Sequence, residues 1–156
     1  MSSRTAKHFF EDVRAASQDA TRCRTQLLQL EAMAKKLGSS TFEPRVRGSK
    51  APDLMADRVC SYVSREEQLS RRMELDYETI AKASKLLYGE FEDGKGGLCA
   101  HLSAKYADVC YHRYVADETW RQVAMAVGYS VRPCQLMHNH ALKTIDELDL
   151  LTVISA

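Results

Sequence analysis

Apolar residues recur at alternating spacings of four and three in Phe9, Val13, Ala16, Ala20, Cys23, Leu27, Leu30, Ala34 and Leu37. Such a repeat lays one narrow apolar stripe along an α-helix. It predicts a helix over 5–37, ended by Gly38-Ser39-Ser40. Residues 38–52 contain Gly38, Pro44, Gly48 and Pro52 and read as a loop. A second helix is expected over 53–88, with Asp53 placed to cap it. Val59, Tyr62, Leu69, Met73, Ile80, Ala83 and Leu87 keep the same frame, interrupted at Glu66 and Asp76. Neither helix can bury its stripe alone, so the stripes must pair, with each other or with another chain. Residues 1–88 therefore predict an antiparallel, coiled-coil-like helical hairpin that serves oligomerisation, with a dimer favoured. The plainer alternative is a hairpin that completes a monomeric fold.

The pattern stops at Gly89–Gly97 (GEFEDGKGG), which predicts a flexible linker over 89–97 and a domain boundary. A third helix is expected over 98–115, with Leu102, Tyr106, Val109, Cys110 and Tyr114 facing the C-terminal helices. From Thr119 to Leu148 two helices are expected around a tight turn. Thr119 and Gln122 have the spacing of a capping box. Val123, Ala124 and Val127 form one apolar face, and Trp120 is placed to cover it. Gly128 stands where a chain leaving a helix needs positive φ. Ser130 can cap the next helix. In that helix Cys134, Met137, Ala141, Ile145 and Leu148 are expected to face inward. Pro133 is tolerable in its first turn, where amides lack intrahelical acceptors, although it disfavours helical geometry at Arg132. The chain is thus all-α, and 98–156 reads as a helix-turn-helix DNA-binding domain.

Composition agrees with a folded helical protein: 45% of residues are hydrophobic, 28% are charged, and only three are Pro. No apolar run is long enough for a membrane span, and the first residues lack a signal-peptide core. A cytoplasmic protein with no membrane partner is expected. The five cysteines read as free, mostly buried thiols. The net charge of +1 hides a gradient. Residues 1–52 hold ten Lys/Arg against five acids (+5), 53–97 seven against ten (−3), and 98–156 five against six (−1). The basic N-terminal part is therefore expected to supply phosphate attraction that the C-terminal module lacks.

Residues Cys99, His101, Cys110, His112, Cys134, His138 and His140 could suggest zinc, but only Cys134 and His138 have the helical ligand spacing. His138-Asn139-His140 lacks the strands that a nuclease of that tripeptide needs. No spaced carboxylate pair, nucleophile elbow or phosphate loop stands out, so neither an enzyme nor a cofactor is expected. DNA reading is expected from the second helix of the pair. Its outward residues early in the helix are Val131, Arg132, Gln135, Leu136, His138 and Asn139. Arg suits guanine, Gln and Asn suit adenine, and aliphatic groups suit a thymine methyl. Thr119, Arg121, Gln122, Ser130 and Lys143 complete the expected DNA-binding set. The alternative for all of them is an ordinary solvated face.

The motif Val123-Ala124, Gly128-Tyr129-Ser130 and Ala141-Leu142-Lys143-Thr144-Ile145 resembles region 4 of sigma-70 factors. With Tyr106–Glu118 before it, the resemblance covers about a third of the chain. In layout the chain is similar to small phage-encoded regulators of the RinA and ArpU type. That resemblance implies a sequence-specific transcriptional regulator, a phage or prophage late-gene activator, which binds double-stranded DNA and can also touch RNA polymerase. Val131-Arg132-Pro133 departs from the Arg- and Glu-rich first turn of sigma factors, which points to a site other than a standard promoter element. Two other functions fit the same residues. One is a small terminase-like DNA-packaging subunit, although there the DNA module usually comes first. The other is a protein-interaction adaptor that binds RNA polymerase or a sigma factor, which the acidic balance of 98–156 favours.

Overall fold

The computed structural model describes the backbone of residues 4–40 and 51–155, and the side chains of 4–36 and 56–155. Every regular element among them is helical: α1 (Ala6–Ser40), α2 (Ala51–Tyr88), α3 (Ala104–Cys110), α4 (Trp120–Val127), α5 (Val131–Glu147) and α6 (Leu150–Ser155). None of the helices is long and apolar enough to cross a membrane. α1 runs past Gly38 to Ser40, and Asp53 lies inside α2 rather than at its cap. Most of the loop expected at 38–52 lies outside the described residues.

The described chain forms two compact units, one of Met1–Gln18 with Asp76–Ala156 and one of Asp19–Leu75. The division expected at 89–97 therefore falls inside a single unit. The reason is packing. Phe9, Phe10 and Val13 of α1 and Ala83, Leu86 and Leu87 of α2 share one core with Leu98, Ala107, Cys110, Tyr114, Ala141, Leu142 and Ile145. Phe10 stacks on Tyr114 with ring centroids 5.1 Å apart. The carboxylate of Asp146, on α5, accepts from the Ala6 amide at 2.7 Å and so caps α1 across the unit.

Nor is 89–97 an open linker. It closes on itself through Glu92 N–H to Gly89 C=O (3.0 Å) and Gly94 N–H to Tyr88 C=O (3.0 Å). Gly97 has φ +60, and a Cβ there would lie 2.3 Å from the Leu86 carbonyl oxygen. The third helix is also not continuous. It breaks into a 3₁₀ turn (Gly97–Ala100), α3, and a π turn (Tyr111–Val115). The π turn swings Tyr114 into the core.

In the second unit, Arg72 of α2 pairs with Asp19 of α1, and Arg65 donates to Gln26 at 3.2 Å. Seven residues forward on α1 match seven back on α2, so these segments run in opposite directions. Ala20, Cys23 and Leu69 are buried here. Leu27 and Leu30 are only half-buried, and Ala34 is exposed, so the stripe opens toward the end of α1. A concavity of about 270 Å³ lined by Gln26, Gln29, Leu30, Met33, Arg65 and Leu69 marks the opening.

Candidate nucleic-acid interface

α4, a three-residue turn and α5 obey the expected local chemistry closely. Thr119 caps α4: its Oγ1 accepts from the Gln122 amide at 3.4 Å, while Gln122 Oε1 accepts from the Thr119 amide at 2.9 Å. Both side chains are thereby committed to the capping box, two orphan amides answered reciprocally. Gly128 is left-handed (φ 86, ψ 22), and its amide donates to Ala124 C=O at 2.9 Å. Ser130 occupies the cap position of α5, but its side chain makes no cap hydrogen bond, against expectation. Pro133 sits in the first turn with Arg132 helical before it. The missing Pro amide costs nothing there.

A small core holds the pair together. Val109, Val123, Ala124 and Cys134 are buried, with Trp120, Val127, Val131 and Met137 packed around them. Val131 therefore faces inward in part, not outward as expected. Leu148 moves the other way. Its spacing assigns it to the inner face, but it is 47% exposed because α5 ends at Glu147.

The larger correction concerns His138. Its Nε2 lies 2.6 Å from the Tyr114 hydroxyl and its Nδ1 3.1 Å from Asn139 Oδ1. Its ring lies 5.2 Å from Trp120, edge to face. Burial pushes Tyr114 up to about 12, so the phenol keeps its proton and donates it to His138 Nε2. The imidazole proton then resides on Nδ1 and is given to Asn139, a tautomer assigned from this network. Burial lowers the His138 pKa; the hydrogen bond with Asn139 opposes this, and the nearby cations Arg113, Arg14 and Lys7 act with burial. This histidine joins α5 to the π turn and to α4, so its ring is engaged by neighbouring side chains and is not simply turned outward as expected.

The remaining outward side chains form one row. Arg132, Leu136, Asn139 and Lys143 are exposed at spacings of four, three and four, with Gln135 half-buried beside them. Arg121 is exposed on α4. The positive charge of the row is modest, because Lys143 reaches Glu147 at 3.8 Å. Two neighbours escape the sequence reading. Met125 is 85% exposed, and Tyr129 receives Lys105 both as a hydrogen bond (2.7 Å) and over its ring (4.6 Å). By type Met125 is one more apolar residue of a helix, and only the packing shows that it lies outside the core. The Arg113 guanidinium sits 4.6 Å over Trp120 and donates to Glu118 C=O at 2.9 Å, so it fixes the entrance to α4.

The sulfur and imidazole groups do not converge: among the described residues no three of Cys99, His101, Cys110, His112, Cys134, His138 and His140 stand at metal-ligating distance from one another. Burial pushes the Cys110 thiol up to about 12 and raises Cys134 as well, so both stay protonated near neutral pH. Compared with known proteins, the chain matches no family model, no curated protein and no solved structure.

Proposed function

We propose that this protein is a sequence-specific DNA-binding transcriptional regulator, encoded by a phage or prophage, in which α4 and α5 act as a helix-turn-helix. α5 is the helix that enters the major groove. One observation carries the reading. α5 is anchored on one side by Cys134, Ala141 and Ile145, all fully buried, and offers Arg132, Gln135, Leu136, Asn139 and Lys143 on the other. These are side chains suited to guanine, adenine and thymine edges. Thr119, Gln122 and Ser130 serve the frame, and Arg121 serves the phosphates. The residues of Asp19–Leu75 pair two copies, which the exposed Leu28, Val59 and Val63 support. The test is selection of bound duplexes from a random pool, followed by Arg132→Ala and Gln135→Ala. Each should weaken the selected site by about 1–3 kcal/mol for each base contact removed and leave circular dichroism unchanged. Undiminished binding by both variants would remove α5 from the reading role.

A second reading is favoured by the exposure of Met125 and Leu136 on a module of net charge −1. An apolar, weakly charged face suits a protein partner. In that reading the chain is an adaptor that holds RNA polymerase or a sigma factor. Its signature is capture of polymerase with no selected duplex at all.

A further inference from the structure

A second concave site lies within the first unit, built by parts of the chain that the DNA reading does not use. It is a pocket of about 430 Å³ lined by Lys82, Lys85 and Leu86 of α2, Gly89, Glu90 and Gly97 of the closed loop, and Leu150, Val153 and Ile154 of α6. Leu86 is buried, Leu150 and Ile154 are half-buried, and Val153 is 70% exposed. The glycines at 89 and 97 add no side chain to fill the hollow, and both have positive φ, which preserves them as glycine.

We propose that this pocket binds a small monoanionic amphiphile, a carboxylate at the end of an apolar chain. The apolar floor calls for an apolar occupant, since exposed hydrocarbon of this kind is stabilised by cover. The volume is that of a small-ligand site, not of a groove long enough for a partner helix. The charge is settled by the rim. Lys82 and Lys85 lie three residues apart on one face of α2, and neither forms an ion pair within the described residues. Two ammonium groups against the single carboxylate of Glu90 leave the lining with one net positive charge beside an apolar floor, which fits a carboxylate held by charge-assisted hydrogen bonds. Glu90 on the lining disfavours a second negative charge, and the floor of Leu86, Leu150, Val153 and Ile154 has no side chain to solvate one. The occupant is therefore a monoanion. Its apolar part would brace α6 against the end of α2.

Decanoate, decylammonium and sebacate, each added to the full-length protein below its self-association concentration, test this. Methyl resonances of Leu86, Leu150, Val153 and Ile154 should shift saturably with decanoate. Decylammonium and sebacate should bind at least about tenfold more weakly. Lys82→Glu with Lys85→Glu should weaken decanoate by a similar factor with circular dichroism unchanged, and Lys82→Arg with Lys85→Arg should retain it. Equal binding of decanoate and decylammonium, shifts centred on Leu28 and Val63 instead, or no saturable shift would each overturn the proposal. None of these outcomes bears on DNA binding by α5.

Discussion

At the scale of single residues, backbone geometry and burial separate positions that look alike in the sequence. Gly128 and Gly97 both have positive φ, but a Cβ on Gly128 would meet nothing within 4 Å, whereas one on Gly97 would strike the Leu86 carbonyl. Gly128→Ala should therefore cost only the left-handed strain, about 1–2 kcal/mol. Gly97→Ala should cost clearly more, because backbone has to move. Urea denaturation of the two variants makes the comparison, and equal losses would contradict it. His138 gives a pH dependence. Its folded pKa lies below the ordinary value near 6.5. In the window below that value the unfolded chain binds more protons than the folded one, so stability falls as pH falls toward the folded pKa. Above about pH 7 this group contributes no slope. His138→Gln keeps an acceptor for Tyr114 without a titrating ring. It should flatten the pH dependence of thermal melting below about pH 6.5. An unchanged slope would assign the acid sensitivity to other groups.

At the scale of elements, the ends of α1 and α2 are part of the support for α5. Phe10 and Val13 from α1 and Leu86 and Leu87 from α2 are each at most 1% exposed in the core that also holds Ile145 and Tyr114. Removing these four side chains forfeits about 1.5–3 kcal/mol each, which rivals the whole stability of a typical domain. The domain boundary expected at 89–97 would leave a fragment beginning at Leu98 able to fold by itself. The packing reverses that expectation. The fragment should show little cooperative melting and much-reduced helix signal by circular dichroism, whereas the full chain melts as a folded protein. A cooperative, helical 98–156 fragment would show that the shared core is dispensable.

At the scale of the whole molecule, charge and exposed apolar side chains are unevenly divided along the chain. The +5 balance of residues 1–52 against −1 for 98–156 makes the N-terminal part the source of positive field. If the protein binds DNA, replacing Arg22, Arg24, Lys35 and Lys36 by Gln should make log affinity fall less steeply with log salt, in proportion to the number of phosphates no longer neutralised. An unchanged salt slope would confine phosphate binding to the C-terminal half. The residues of Asp19–Leu75 should also set the mass of the particle. Leu28→Lys with Val63→Lys changes side chains already 61% and 48% exposed, so the fold is spared. If two copies pair here, light scattering should report a smaller particle for this variant than for the parent. Equal masses would place self-association elsewhere or remove it.

Helix formation is largely legible from pattern, because period, caps and glycines act over a few residues. The capping box of Thr119 and Gln122, the left-handed Gly128 and the inward Cys134, Ala141 and Ile145 all accord with spacing alone. The outward row of Arg132, Leu136, Asn139 and Lys143 obeys the same period. Pattern does not supply which stripes meet. The repeat in α1 is continuous, yet its first turns join the core of α5 while its later ones face α2 in the second unit. A loop rich in Gly and acids has the composition of a hinge, and backbone approach between Gly89 and Gly96 makes it a closed turn. His138, polar by type, becomes a half-buried link because Tyr114 and Trp120 converge on it from elsewhere in the chain, beside its neighbour Asn139. The helices and their faces are thus written in the order of residues, since they depend on neighbours a turn away. The units, the shared core and the lining of the pocket arise only on folding, since they depend on residues far apart in the chain coming together.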